Sequence, residues 1–99
     1  MKIELTQNAI DWFEDEVGLM PGGGVRFLGK VYGKTDIHEG FSVGMDIAQP
    51  GDVLAQEKIN GITYFIDKND EWFFSGHDLQ VDFDKKADEP IYKFIEHPK

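Results

Sequence analysis

Three observations predict an α+β fold for these 99 residues: one stretch of helical period near the N-terminus, a series of period-two runs after it, and short turn signals that join those runs as hairpins. The expected architecture is one compact domain over residues 1–99, mostly antiparallel or mixed β strands with one N-terminal helix and a short helical turn. A chain of this length buries roughly two thirds of its unfolded surface, enough for one core without disulfide staples.

The helix comes first. Thr6 is an N-cap by chemistry, and Ala9, Ile10, Phe13 and Val17 recur at helical spacing before Gly18, which predicts a helix over about residues 7–17. Asp11, Glu14, Asp15 and Glu16 occupy its other face, and Trp12 lies at the edge of the apolar stripe. Gly18 suits a left-handed cap, and Pro21-Gly22-Gly23-Gly24 turns the chain.

From Val25 the period becomes two. Val25, Phe27 and Val31 alternate with Arg26, Leu28, Lys30 and Tyr32, which predicts a strand with Gly29 as a bulge. After a polar loop, Phe41, Val43, Met45 and Ile47 alternate with smaller or polar residues as a second strand, ended by Gln49-Pro50-Gly51-Asp52. Val53–Ile59 reads as a third strand, Asn60-Gly61 as a two-residue hairpin turn and Ile62–Ile66 as a fourth strand. Glu71–Phe74 is expected to be a helical turn, Leu79–Phe83 another strand, and Tyr92 and Phe94 mark a short last one, for five or six mostly hairpin-linked strands. The densest apolar signal runs from Gly61 to Phe83. Its Tyr64, Phe65, Trp72, Phe73, Phe74 and Phe83 are core rather than a ligand cage, since each buried aromatic removes roughly 150–250 Å² from water.

Composition excludes several classes of function. Without cysteine there is no disulfide, zinc-thiolate site, cysteine-ligated cluster or thiol nucleophile. A net charge of −9 opposes docking on nucleic acid or an anionic membrane, and the longest basic cluster, Lys85-Lys86, is flanked by Asp84 and Asp88. The acid-rich stretch between Asp67 and Glu89 reads as a solvated rim. No run approaches the roughly 18 apolar residues of a membrane span, and the N-terminus lacks a signal-peptide pattern, so a cytoplasmic location is expected.

Familiar motifs fail on context. Gly40-Phe41-Ser42-Val43-Gly44 matches a nucleophile elbow by letter, yet Ser42 falls within a strand instead of a strand-to-helix turn. Gly29 to Thr35 imitates a phosphate loop, one residue short and with no helix after it. Asp67, Asn69, Glu71 and Asp78 fit four calcium-loop positions, but Trp72 stands where that loop requires glycine. No catalytic residue is identified, and a small-molecule enzyme is the weakest reading. Asp36, His38 and Glu39 share one loop and, with His77, form a candidate divalent-metal set of two imidazoles and two carboxylates.

The order of segments resembles the HesB-like family of A-type iron–sulfur carriers over nearly the whole chain. The residues that carry it are Ile3–Thr6, Val25-Arg26-Phe27, Gly33-Lys34-Thr35, Phe41–Met45, Gly61–Asp67, Gly76, Val81-Asp82-Phe83 and Tyr92-Lys93-Phe94. The resemblance implies the fold and a tie to iron–sulfur assembly. It also implies what is missing. Carriers of this family place a cysteine after the first-loop glycine, where Lys34 stands here, and two more in a tail that would begin beyond His97-Pro98-Lys99. A protonated lysine has no lone pair to offer iron, so cluster binding through the family's residues is excluded and no cofactor is expected. The reading is a non-catalytic binding or adaptor domain of a cysteine-less bacterial branch, with an iron–sulfur assembly component as the implied protein partner. A divalent-metal domain is the alternative, and monomer and homodimer both stay open.

Overall fold

The computed structural model describes residues 1–30, 40 and 42–96. Among these residues seven strands form two sheets, with one helix of nine residues and one of four. In chain order these are β1 (Ile3–Leu5), α1 (Gln7–Asp15), β2 (Gly24–Lys30), β3 (Ser42–Ile47), β4 (Val53–Ile59), β5 (Ile62–Asp67), α2 (Glu71–Phe74), β6 (His77–Asp84) and β7 (Glu89–Glu96). A 3-10 turn at Lys68–Asp70 leads into α2, in agreement with the expected helical turn.

Helix α1 starts where its cap chemistry says. The Thr6 hydroxyl accepts a hydrogen bond from the Ala9 amide at 3.3 Å, and Ala9, Ile10 and Phe13 are buried. The helix ends at Asp15 rather than at residue 17, because Val17 N–H goes to the Trp12 carbonyl five residues back instead of four, and Leu19 N–H goes to the Phe13 carbonyl six residues back across the left-handed Gly18, at φ 79°. Val17 still packs on the core from outside the helix.

One sheet has the order β3-β2-β5-β4 and the other β1-β6-β7. The hairpin pairs β2–β3, β4–β5 and β6–β7 are antiparallel, whereas β2–β5 and β1–β6 are parallel. The β4–β5 turn fulfils the Asn60-Gly61 signal, with φ of 54° and 81° at the two central residues, the left-handed pair that a type I′ turn needs.

Three expectations require correction. First, β1 went unread, because three residues are too few to show a period; it exists by pairing Ile3, Glu4 and Leu5 with Leu79, Gln80 and Val81 of β6. The strand count rises to seven, and two of the pairings are crossovers rather than hairpins. Second, β7 is eight residues long, extending well beyond Tyr92 and Phe94, because the β6–β7 register is continuous from His77–Glu96 to Asp84–Glu89. Third, Gly29 is not a bulge. The β2–β3 register runs without a shift from Val25–Ile47 to Lys30–Ser42. Gly29 lies on the same face as Val25 and Phe27, and the ring of Phe73 rests on it: a Cβ there would stand 2.8 Å from Phe73 Cγ.

The core is one connected cluster. Ile3, Leu79, Val81 and Phe83 from one sheet meet Val25, Phe27, Ile62, Tyr64 and Ile66 from the other, with Phe13 of α1 and Phe73 and Phe74 of α2 between them. Aromatic rings dominate it: Phe13 meets Tyr64 edge-on at 5.3 Å, and Phe74 stacks on Phe94 at 5.6 Å. The 61–83 run is therefore core, as its composition implied, except that Trp72 is exposed. Arg26 donates through Nε and Nη2 to Asp70 Oδ2 at 3.2 and 2.8 Å, tying β2 to the start of α2. The adjacent carboxylate raises the Arg26 guanidinium above its usual range, first through the hydrogen bond. No described helix is long and apolar enough to cross a membrane.

Candidate functional site

Of the residues singled out from sequence, Lys34, Asp36, His38 and Glu39 lie outside the described residues. His77 opens β6, its Nδ1 2.9 Å from the Ser75 carbonyl oxygen and its ring edge-on to Phe94 at 6.0 Å. It lines a cavity of about 200 Å³ with Met1, Leu54, Glu71 and Phe74. Among the described residues Glu71 is the single carboxylate of that lining, and no group of three or more histidines and carboxylates is arranged to hold a metal ion.

A larger groove, about 330 Å³, lies between α1 and the β6–β7 turn. Its helical wall is Asn8, Asp11, Trp12 and Asp15, a stripe at i, i+3, i+4 and i+7, extended by Glu16. Phe83, Lys85 and Asp88 line the opposite side. Trp12 is half-buried and stacks on Phe83 at 5.2 Å with 19° between the rings, while its edge meets Phe13 at 4.9 Å. The floor is thus aromatic and the rim acidic. Four carboxylates (Asp11, Asp15, Glu16 and Asp88) face one ammonium (Lys85), a formal lining charge of −3.

Local chemistry holds both walls. Thr6 caps α1 and donates its hydroxyl to Asp82 Oδ1 at 2.7 Å, so one side chain joins the helix start to β6. The same oxygen accepts the Phe83 amide at 2.7 Å. These bonds, Thr6's first, lower the Asp82 carboxyl below its usual range. On the far wall, Asp84 Oδ1 accepts from the amides of Lys86 and Ala87, an Asx turn that shapes the hairpin, and Asp88 follows with φ of 56°. Gln7 reaches Asp11 at 2.8 Å, one helical turn away. Among the described residues no hydrogen bond or ion pair engages the side chains of Asp15, Glu16 or Asp88, so their oxygens are open to a donor.

Sequence reading missed this groove. The α1 stripe was legible as spacing, but Phe83, Lys85 and Asp88 are some seventy residues away, and nothing local announces that β6 lies beside the helix. Trp12 at the stripe's edge was the one available signal.

The chain is 33% identical over 94 residues to the pyruvate dehydrogenase inhibitor of Bacillus subtilis, a match covering 95% of this chain and 99% of that protein. Uncharacterized proteins of Staphylococcus saprophyticus and Staphylococcus epidermidis are each 32% identical, covering 93% and 94% of this chain and 97% and 98% of theirs. Among solved structures, Escherichia coli SufA, involved in biosynthesis of iron–sulfur clusters, superposes with a TM-score of 0.63 at 26% identity, covering 96% of this chain and 80% of SufA. No family model matches. The donor set present does not fit a cysteine-held cluster, since the sequence contains no thiolate. With a fold that matches SufA over 96% of its length, full-length relatives and no cysteine, the chain belongs to the HesB-like family as a cysteine-less homologue of the A-type iron–sulfur carriers.

Proposed function

We propose that this chain is a cytoplasmic protein-binding regulator, without catalysis of its own, that inhibits pyruvate dehydrogenase. The observation that carries the proposal is the end-to-end match to the Bacillus subtilis inhibitor, which leaves 1% of that protein uncovered. A match of that extent spans a whole small domain, surfaces included, rather than one local motif. The partner is then pyruvate dehydrogenase in place of an iron–sulfur assembly component, because the tie to iron–sulfur assembly rests on likeness to a carrier whose cargo this chain has no thiolates to hold. Inhibition by docking needs a patterned surface and no reacting group, and the α1 groove is such a surface.

The test adds purified protein to the pyruvate dehydrogenase complex of the same organism and follows initial rates of pyruvate-dependent turnover. A saturable fall in rate is expected, together with recovery of complex components on the immobilised protein. Unchanged rates at large molar excess, or recovery of iron–sulfur assembly proteins alone, would refute the assignment.

A further inference from the structure

We propose that the groove between α1 and the β6–β7 turn docks a basic segment of a protein partner, with an arginine side chain lying against Trp12 and donating to the carboxylates of Asp15, Glu16 and Asp88. This deepens the protein-binding reading and rests on it for the class of occupant. The chemistry of the groove selects the charge. A guanidinium has a flat face that stacks on indole and a fork of N–H donors for carboxylates, so one side chain meets both the floor and the rim. Trp12 is held for this role from behind, stacked on Phe83 and braced at its edge by Phe13.

The helix itself supplies a second reason. Its last turn carries no basic residue, and Asp15 and Glu16 stand at the end where unpaired carbonyls make the helix dipole negative. Carboxylates there oppose the dipole, and among the described residues no cation forms an ion pair with either one, Lys85 sharing the groove without pairing. A cation arriving from outside would relieve both the mutual repulsion and the dipole. Small-molecule pockets are mostly apolar and enclose their ligand, whereas this groove is open and rimmed by charge, which fits a side chain presented on a longer segment. Lys85 is the opposing element: the one cation among the described residues of the lining, competing with the incoming arginine.

The experiment has two arms. In the first, the protein is titrated at low salt with a blocked hexapeptide alternating arginine and alanine, following the Trp12 indole N–H resonance. The probes are the wild type, a groove variant (Asp15→Asn, Glu16→Gln, Asp88→Asn), Lys85→Ala, and a charge-matched control (Glu4→Gln, Asp52→Asn, Glu57→Gln) on exposed positions elsewhere. Asparagine at position 88 tolerates its positive φ, and neutralising a helix C-terminus does not threaten the fold. The expected result is a saturable Trp12 shift, weakened at least tenfold in the groove variant, tightened about threefold or more in Lys85→Ala, and changed less than threefold in the control. Equal weakening in groove and control variants, or no saturable shift, would overturn the proposal. In the second arm the same variants are assayed against pyruvate dehydrogenase. If the wild type inhibits and the groove variant loses at least tenfold in potency, the groove is the docking site. If both inhibit equally, the groove proposal falls while the inhibitor assignment stands; if the wild type fails to inhibit, that assignment falls and the peptide titration alone decides the groove.

Discussion

Replacing Gly29 by alanine is expected to destabilise the domain, although the same change in an unobstructed strand stabilises by roughly 0.5–1 kcal/mol. The added Cβ would stand 2.8 Å from Phe73 Cγ, 2.9 Å from Cδ1 and 3.2 Å from Cδ2. Carbon atoms pack at about 3.5 Å or more, so the ring must retreat by about 0.7 Å. It has little room to do so: Phe73 has 0% exposure, with Trp72, Phe74 and Phe94 around it at ring distances of 5.4, 4.9 and 5.7 Å. Overpacking of this kind costs about 1–3 kcal/mol, towards the upper end for a ring with so little room, and subtracting the strand gain from about 2–3 leaves a net loss of about 1–2 kcal/mol. For a domain of this size that lowers Tm by about 5–15 °C. Urea unfolding followed by tryptophan fluorescence and circular dichroism measures it, with Gly51→Ala as control, since a Cβ at Gly51 meets nothing within 4 Å. The reasoning also requires coupling: in a Phe73→Leu background, where the ring is gone, Gly29→Ala should cost less than half as much. An unchanged midpoint in the single variant, or the same cost in both backgrounds, would refute it.

Four further outcomes are expected. Arg26→Met should cost about 1–3 kcal/mol in urea unfolding, because it strips the cation from the largely buried Asp70 carboxylate; the figure is at the lower end for a buried pair since about a third of the Arg26 side chain is exposed, and a change under 0.5 kcal/mol would show that the pair contributes little. Tyr64→Phe should leave stability unchanged or raise it by about 1 kcal/mol, since the buried Tyr64 hydroxyl has no hydrogen-bond partner among the described residues, and a loss above 1 kcal/mol would reveal one. Burial also pushes the Tyr64 and Tyr92 hydroxyls up to about 12, so the folded state holds these protons more tightly than the unfolded chain: their contribution is complete below about pH 10 and lost as pH rises towards 12, and the Tyr64→Phe, Tyr92→Phe double variant should lose less stability across that window. Asp82 runs the other way: its lowered folded pKa contributes stability above the ordinary carboxylate range that is lost as pH falls through that pKa, so Thr6→Ala should flatten the acid side of a stability-against-pH curve, and an unchanged acid limb would show that the Thr6 bond does not hold Asp82.

Sequence alone carried whatever depends on near neighbours. The α1 start follows from Thr6 and a 3.6-residue period, the β4–β5 hairpin from Asn60-Gly61, and α2 from a short aromatic run between strands; each of these is decided within about ten residues, where chain connectivity does the work. The absence of any thiolate was equally plain, and so was the order of segments that places the chain among HesB-like proteins. Tertiary structure decided whatever depends on residues meeting across the fold. The β1 strand exists only because β6 pairs with it, Gly29 is required by a ring forty-four positions later rather than by its own backbone, and Trp12 becomes the floor of a groove only when Phe83 slides beneath it. The physical reason is the same in each case: pairing, close approach and stacking are set by distance in space, and a period along the chain contains no term for a partner that the chain reaches only after folding back on itself.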